Sequence, residues 1–294
     1  MSRPRFTIVI PTFNRPPALA ECLRAVCDLE VPAGGLEVIV VNDGGEPVDV
    51  APFQQRIRVQ LCEQQHAGPA TARNRGARLA QGEYLAFTDD DCRPEPGWLL
   101  AFERALDRNP DHGLGGNTVN ALAGNVYSEA SQALIAYLYR YYNGEPGKAR
   151  LLTTSNLCLP RDRFLEVGGF PENFALPAGE DRALCDRWLH LGHRLTYVPE
   201  AVVRHAHRLR LATFMRQHFG YGRGAYLFHR ERRTYTREPV GVEPMEFYRD
   251  LVLHARRAKM DRAGRLMALM ALSQVLTVAG YVREAVRRRA PDAR

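Results

Sequence analysis

The sequence contains no Cys-x-x-Cys pair. Its six cysteines, Cys22, Cys27, Cys62, Cys92, Cys158 and Cys185, are scattered along the chain. That spacing excludes a zinc ribbon and a dithiol redox motif, and it reads as reduced thiols in a cytosolic protein. No secretory leader is legible. Met1 to Phe6 is short and polar, and the next apolar run, Phe6 to Ile10, is strand-sized and stops at Pro11. The expectation is a cytoplasmic chain. There is no internal repeat, and no low-complexity tract beyond an arginine-rich tail. No nucleic-acid motif accompanies those arginines, so nucleic acid is not an expected partner. No apolar run reaches the roughly 20 residues that span a bilayer comfortably.

What is present is ordinary in amount and uneven in placement. The chain has 294 residues, 45% hydrophobic and 25% charged, enough for one large domain or a domain with an appendage. Residues 1–202 carry 20 Lys+Arg against 25 Asp+Glu, a net of −5, and residues 203–294 carry 20 against 8, a net of +12. A neutral-to-acidic body with a basic appendage calls for an anionic partner or a solvated surface.

Along the chain, apolar β-branched runs alternate with helical patterns. Phe6 to Ile10, Leu36 to Val41, Ile57 to Leu61 and Tyr84 to Thr88 read as strands. A helix opens at Pro16-Pro17 with Asn14 as candidate cap, another spans Gly68 to Ala80, and a third Trp98 to Leu106. The order predicts a mainly parallel sheet flanked by helices. Ligands of such sheets bind at the carboxyl ends of strands, which should bring Pro11-Thr12-Phe13, Asn42-Asp43 and Asp89 to Asp91 to one edge. Later, Ser128 to Tyr142, Arg161 to Val167 and Glu180 to Leu191 read as helices. Leu152 to Leu159 reads as a strand, and Leu195 to Val198 and Ala201 to Val203 as short extended pieces.

Several residues there invite chemistry. Asp89, Asp90 and Asp91 crowd three carboxylates after a strand. They form either a solvated acidic turn or the seat of a cation such as Mg²⁺ or Mn²⁺. Asp43 either closes an Asx turn with Gly44-Gly45 or accepts from a base or ribose. Arg73 lies near a helix start, where its charge opposes the dipole, so it is either solvent-exposed or faces an anion. Glu180 and Asp181 open a helix, a favoured place for acids on dipole grounds alone and also a rigid mount for a general base.

The ordered set Val9-Ile-Pro-Thr-Phe-Asn-Arg15, Val41-Asn-Asp-Gly-Gly45, Gly68-Pro-Ala-Thr-Ala-Arg-Asn-Arg-Gly76, Phe87-Thr-Asp-Asp-Asp-Cys-Arg-Pro94, Gly168-Gly-Phe170 and Glu180-Asp181 resembles family 2 inverting glycosyltransferases of the GT-A fold. The resemblance covers about residues 5–205. It implies a GT-A catalytic domain over 1–205, nucleotide-binding over about 5–115 and acceptor-side over about 116–205, followed by a basic helical extension, 206–294. Pro11, Thr12 and Phe13 would line the nucleobase pocket, Asp43 would accept from the base, most often uracil, and Arg73 would contact the nucleotide. Asp89-Asp90-Asp91 matches the family's Asp-x-Asp motif, with Asp89 toward ribose and metal and Asp91 on the metal. Asp181 would be the catalytic base with Glu180 beside it. His205 falls where some members place a further metal ligand, although a lone histidine after a strand is also often structural. Asn42 departs from a frequent acid, and the charged Asp90 blurs which two aspartates ligate.

The implied reaction moves a sugar from a nucleotide-diphosphate sugar to an acceptor hydroxyl, with Mn²⁺ or Mg²⁺ as cofactor and a glycan or lipid-linked molecule as acceptor. Two other classes stand against it. A metal-dependent nucleotidyltransferase also clusters carboxylates but does not account for Glu180-Asp181. A basic nucleic-acid-binding module would account only for the arginines. In the tail, Leu266 to Val282 is uncharged between Arg262 and Arg265 on one side and Arg283 and Arg287 on the other. It suits an interfacial helix at an anionic membrane surface, or a helix packed on the body or across a homodimer. The stretch His218 to Gly224, with glycines at alternate positions, reads as a break in the helical pattern and a candidate flexible lip.

Overall fold

The computed structural model describes residues 3–145, 147–174, 178–238 and 241–289. Eight strands form one sheet: β1 (Phe6–Thr12), β2 (Leu36–Asn42), β3 (Val59–Glu63), β4 (Tyr84–Phe87), β5 (Cys92–Pro94), β6 (Gly113–Asn120), β7 (Leu157–Pro160) and β8 (Leu195–His205). Their order is β3-β2-β1-β4-β7-β6-β8-β5. The first four pair in parallel, as expected. The sheet is mainly parallel, as expected, and its second half is mixed: β6 pairs with β8 in parallel, whereas β7 runs antiparallel to both β4 and β6, and β5 antiparallel to β8.

Two apolar layers cover the sheet. On one face α1 (Pro16–Cys27) and α3 (Trp98–Leu106) bury Leu19, Leu23, Trp98 and Phe102 against Ile8, Val38 and Ala86. On the other, α2 (Pro69–Leu79), α5 (Arg161–Glu166) and α6 (Glu180–His190) bury Ala72, Phe164 and Trp188 against Val9, Val41 and Phe87. The period-2 alternation within β1 and β2 supplies both faces, which is why these runs are almost wholly apolar, the buried Thr7 and Glu37 being hydrogen-bonded to each other at 2.7 Å.

Three local expectations change. Asn14 does not cap α1. It sits at φ 55°, and its Oδ1 accepts from Glu46 N at 2.9 Å, tying β1's exit to the loop after β2. The strand expected over 152–159 is confined to 157–160, because Thr154–Asn156 form a short 3-10 turn. There Asn156 is consumed by Trp98, which donates to it at 2.8 Å, and by the carbonyls of Asn117 and Ala201. The two extended pieces after 195 are one strand, β8. An irregularity opposite Gly116 and Asn117 absorbs Pro199, Glu200 and Ala201 without ending it.

The appendage is a packed third layer. Helices α7 (Leu211–Arg232), α8 (Met245–Arg257) and α9 (Ala263–Arg289) enclose Phe214, Phe247, Leu251, Leu266 and Met270 with Leu134 and Tyr137 of α4 (Val126–Asn143). The glycines of His218 to Gly224 lie inside the uninterrupted α7, so the expected lip is corrected. A Cβ at Gly222 would collide with the Thr277 carbonyl, and one at Gly280 with that of Phe219. The bare backbones let α7 and α9 approach closely, and tertiary contact offsets glycine's poor helix propensity.

Glu284 of α9 locks this contact. It is 1% exposed and receives Arg223 Nε of α7 at 2.8 Å, with Arg287 and Arg288 at 3.1 and 2.8 Å. Burial pushes its carboxyl up, but the hydrogen bonds from Arg288 and Arg223 win and hold it at about 2. A depressed carboxyl stabilises above its ordinary range near 4.5, and that contribution is lost as pH falls toward about 2. Glu284→Ala is expected to destabilise the chain by about 2 kcal/mol at pH 7, below the value for a fully buried pair because the arginines are partly solvated. Thermal melts at pH 7 and pH 3 check it. The gap between wild type and variant should narrow at the lower pH, and equal melting temperatures at pH 7 would refute it.

Candidate functional site

The predicted strand-end edge forms. β1 delivers Thr12, β2 delivers Asn42-Asp43, and β4 delivers the three aspartates. Each aspartate finds a different partner. Asp89 accepts from Arg73 Nη2 at 2.6 Å. Asp90 is fully buried, accepts from Thr12 Oγ1 at 2.7 Å, and lies 3.2 Å from Arg15 Nη2. Asp91 meets Arg15 Nη1 at 2.8 Å and His205 Nε2 at 3.1 Å.

These environments separate the three electrostatically. Burial pushes the Asp90 carboxyl up to about 6, only partly offset by Arg15 and Thr12. Burial also raises Asp91, but the hydrogen bond from His205 and the charges of His205 and Arg15 outweigh it, and the group ends well below the carboxylate range. Asp90 thus ties β1 to β4 through Thr12, while Asp91 faces His205 and Arg15.

Asp91, Cys92 and His205 bring one ligand atom each within 4.8 Å of one another. Cys92 is fully buried, and its thiol is pushed far up by that burial and by the neighbouring aspartates. A buried thiol held protonated in this way is a poorer donor to a hard cation than the carboxylates beside it. The donor set that remains, Asp91 and His205 with Asp89 nearby, fits a divalent cation. A nitrogen ligand in a carboxylate site tilts preference from Mg²⁺ toward Mn²⁺.

Arg73 is buried at the base of the site. Its Nη1 donates to Glu180 Oε1 at 3.1 Å, so it joins the aspartate edge to the start of α6. Glu180 is buried, and its Oε2 has no partner among the described residues. Burial and the charge of Asp181 raise its carboxyl to about 7 against the pull of Arg73. Asp181 is half-buried. Its Oδ1 accepts from Arg182 N at 2.7 Å, and burial raises its carboxyl too. The two acids thus divide, Glu180 toward Arg73 and Asp181 toward the open side. Gly224 of α7 backs this corner, where a Cβ would collide with the Ala178 carbonyl.

Asp43 is buried and engaged by its own chain. It accepts from Gln64 Nε2 at 2.6 Å, Ala67 N at 2.9 Å and Gly68 N at 2.8 Å, and lies 2.9 Å from His66 Nδ1. It organises the loop that starts α2. His66 in turn stacks on the exposed Phe13, centroids 4.1 Å apart and 22° between planes. Pro11 is buried in β1.

Arg15 and His66 carried no role in the sequence reading. Arg15 had a signal, a cation just before a helix N-terminus, where the dipole disfavours it. His66 had none, since its contact with Phe13 depends on the loop that Asp43 folds.

A family model described as "Glycosyl transferase family 2" matches residues 7–162. Among curated proteins the chain is similar to Glycosyltransferase AglE of Haloferax volcanii, 26% identical over 232 residues, 75% of this chain and 73% of that protein. It is also similar to Pre-mycofactocin glycosyltransferase of Mycobacterium tuberculosis, 30% identical over 234 residues, 74% of this chain but 46% of that longer protein. Among solved structures it resembles the mannosyltransferase PcManGT from Pyrobaculum calidifontis in complex with GDP-Man and Mn²⁺, with TM-score 0.65 and 18% identity over 99% of this chain and 88% of that one. At that identity the likeness shows a shared fold, the GT-A architecture.

Proposed function

The chain belongs to glycosyl transferase family 2, and from that premise we propose that it is a metal-dependent inverting transferase using a nucleoside-diphosphate sugar, with uridine the first base to test. The observation that supports this reading most is the meeting, through Arg73, of the aspartate edge with the acids of α6. A donor diphosphate is placed at the first, and an acceptor hydroxyl at the second.

In this reading the base stacks near Phe13 and His66, over a pocket shaped by Pro11, Thr12 and Asp43. Asp91, His205 and Asp89 would hold the divalent ion, which when bound offsets charge on the leaving diphosphate. Asp181 takes the proton of the acceptor hydroxyl. The hydroxyl oxygen bonds to the anomeric carbon from the face opposite the leaving group, the bond from that carbon to the diphosphate oxygen breaks, and the nucleoside diphosphate departs. One displacement inverts the centre, so one base suffices. Glu180 positions Arg73. Residues 1–205 carry the chemistry, and 206–294 form the extension that buttresses it.

The test is a thermal-shift titration with UDP and GDP, each with and without Mn²⁺, since a ligand bound only by the folded state raises its melting temperature. Product analysis follows, with the anomeric configuration read by NMR. No shift with either nucleotide in Mn²⁺, or a product carrying the nucleotide, would remove the reading.

A pH dependence follows from the acid pair. The base works only when ionised, and burial raises both carboxyls, to about 7 for Glu180. The rate constant kcat/KM should therefore fall as pH drops through the neutral range, with an apparent pKa belonging to the pair. Glu180→Gln removes the negative neighbour and should move that limb to lower pH. An unmoved limb would show that the two acids do not interact.

The extension also bears on the acceptor. Val275, Val278, Val282 and Val286 of α9 are each more than half exposed, and their spacing puts them along one stripe beside Arg283 and Arg287. The helix is long and apolar enough to cross a membrane by length and composition, and only 22% of its apolar stretch is buried. We read the stripe as a contact with an anionic membrane surface, in keeping with a lipid-linked acceptor at the inner face of the cell membrane.

A further inference from the structure

We propose that Arg15 is a positioning residue of the aspartate edge: its guanidinium holds Asp91 in the absence of the divalent ion and gives it up when the ion binds. Ion and side chain then compete for one carboxylate. The proposal rests on the metal-dependent reading above and adds to it a counter-ion supplied by the chain itself.

The carrying observation is a two-pronged contact. Arg15 Nη1 lies 2.8 Å from Asp91 Oδ2, and Nη2 of the same fork lies 3.2 Å from Asp90 Oδ1. The other Asp91 oxygen, Oδ1, lies 3.1 Å from His205 Nε2. Both oxygens of the carboxylate assigned to the ion are therefore engaged by the chain. A divalent ion bonded to Asp91 would stand beside the guanidinium. Like charges in such proximity repel strongly, so the two do not share the carboxylate.

The arm can move while its base stays. The Arg15 side chain is 52% exposed, and exposed ion pairs contribute little. Departure costs Asp90 no hydrogen bond, because its Oδ1 receives none among the described residues and its Oδ2 keeps the Thr12 hydroxyl at 2.7 Å. The backbone is pinned on both sides. Asn14 Oδ1 accepts from Glu46 N at 2.9 Å, and Arg15 O accepts from Leu19 N at 3.1 Å in the first turn of α1. Exchange therefore needs side-chain rotation alone. In the reading above the donor diphosphate arrives at the same edge, and phosphate oxygens suit a freed guanidinium fork. The consequence is coupling. The ion should bind weakly by itself and more tightly with the nucleotide, which takes up the displaced charge.

The test is titration of MnCl₂ into the full chain, followed by the paramagnetic resonance signal of the free ion, with and without UDP or GDP and against a protein-free nucleotide blank. Arg15→Gln removes the charge and keeps an amide donor. It should bind Mn²⁺ alone at least about tenfold more tightly than wild type, the order expected for removing one charge beside a divalent ion. Nucleotide should then improve its Mn²⁺ affinity by a smaller factor than it does in wild type. Arg15→Lys keeps the charge but not the fork and should fall between the two. It also carries the test if the glutamine variant does not fold. Arg93 on β5 is the control, a cation that pairs with Glu21 at 3.3 Å. Arg93→Gln should change Mn²⁺ affinity by less than about twofold, because a half-exposed charge out of direct contact is largely screened. The exchange is overturned if neither Arg15 variant binds Mn²⁺ more tightly than wild type. It is also overturned if Arg93→Gln tightens binding as much, or if nucleotide strengthens Mn²⁺ binding equally with and without Arg15. Equal Mn²⁺ affinity in wild type and variants sinks the exchange and leaves the metal reading standing, whereas no Mn²⁺ bound by any of them with nucleotide present removes both.

Discussion

Asp181→Asn is expected to lower the transfer rate by about 10²–10⁴, the usual cost of removing a general base, with donor affinity unchanged. The amide has the same shape and keeps an oxygen for the Arg182 N–H, so the start of α6 should survive. It has no basic carboxylate to take the acceptor proton. Asp181 has no arginine bonded to its carboxylate among the described residues, unlike Glu180, so its loss releases no buried cation. Single-turnover kinetics and calorimetric titration of the donor nucleotide separate the two effects. If donor affinity falls with the fold intact, Asp181 belongs to the donor pocket.

Asp91→Asn should be at least as severe by a different route. It removes a carboxylate charge from the aspartate edge and the partner of His205 and Arg15. Losing groups that merely orient a metal ligand costs about 10–100-fold in affinity, and a direct anionic ligand should cost more. Mn²⁺-dependent nucleotide binding should weaken at least 100-fold by that reasoning, and transfer should vanish. Asp90→Asn is the control. Asp90 is buried against Thr12 with its carboxyl already raised to about 6, so it should cost stability more than metal affinity. Titration of Mn²⁺ followed by its paramagnetic resonance signal reads the difference. Full activity of Asp91→Asn in chelator-treated buffer without added metal would refute the ligand assignment.

The sequence alone determined the strand-end edge. Strands β1, β2 and β4 are short and largely apolar, so their carboxyl ends and the motif residues there were legible, although β1 pairs on through Pro11 to Thr12 rather than stopping at the proline. The family followed from the order of six motifs, and the model match over residues 7–162 bears that out. Local patterning could not show that β7 reverses direction, that the glycines of α7 are helical, or that the apolar tail is a half-exposed helix on a shared core. Each depends on a surface from another part of the chain. Glycine breaks a helix judged by propensity, and only the Thr277 backbone beside Gly222 makes it the residue that fits. The surroundings of each acid were likewise set by tertiary structure. Arg73 and Glu180 lie 107 residues apart, and Asp90 and Asp91, adjacent in sequence, are driven in opposite directions by burial against Thr12 on one side and by His205 and Arg15 on the other. A carboxylate's identity is written in the sequence, but its charge depends on desolvation and on partners that only the folded chain brings within reach.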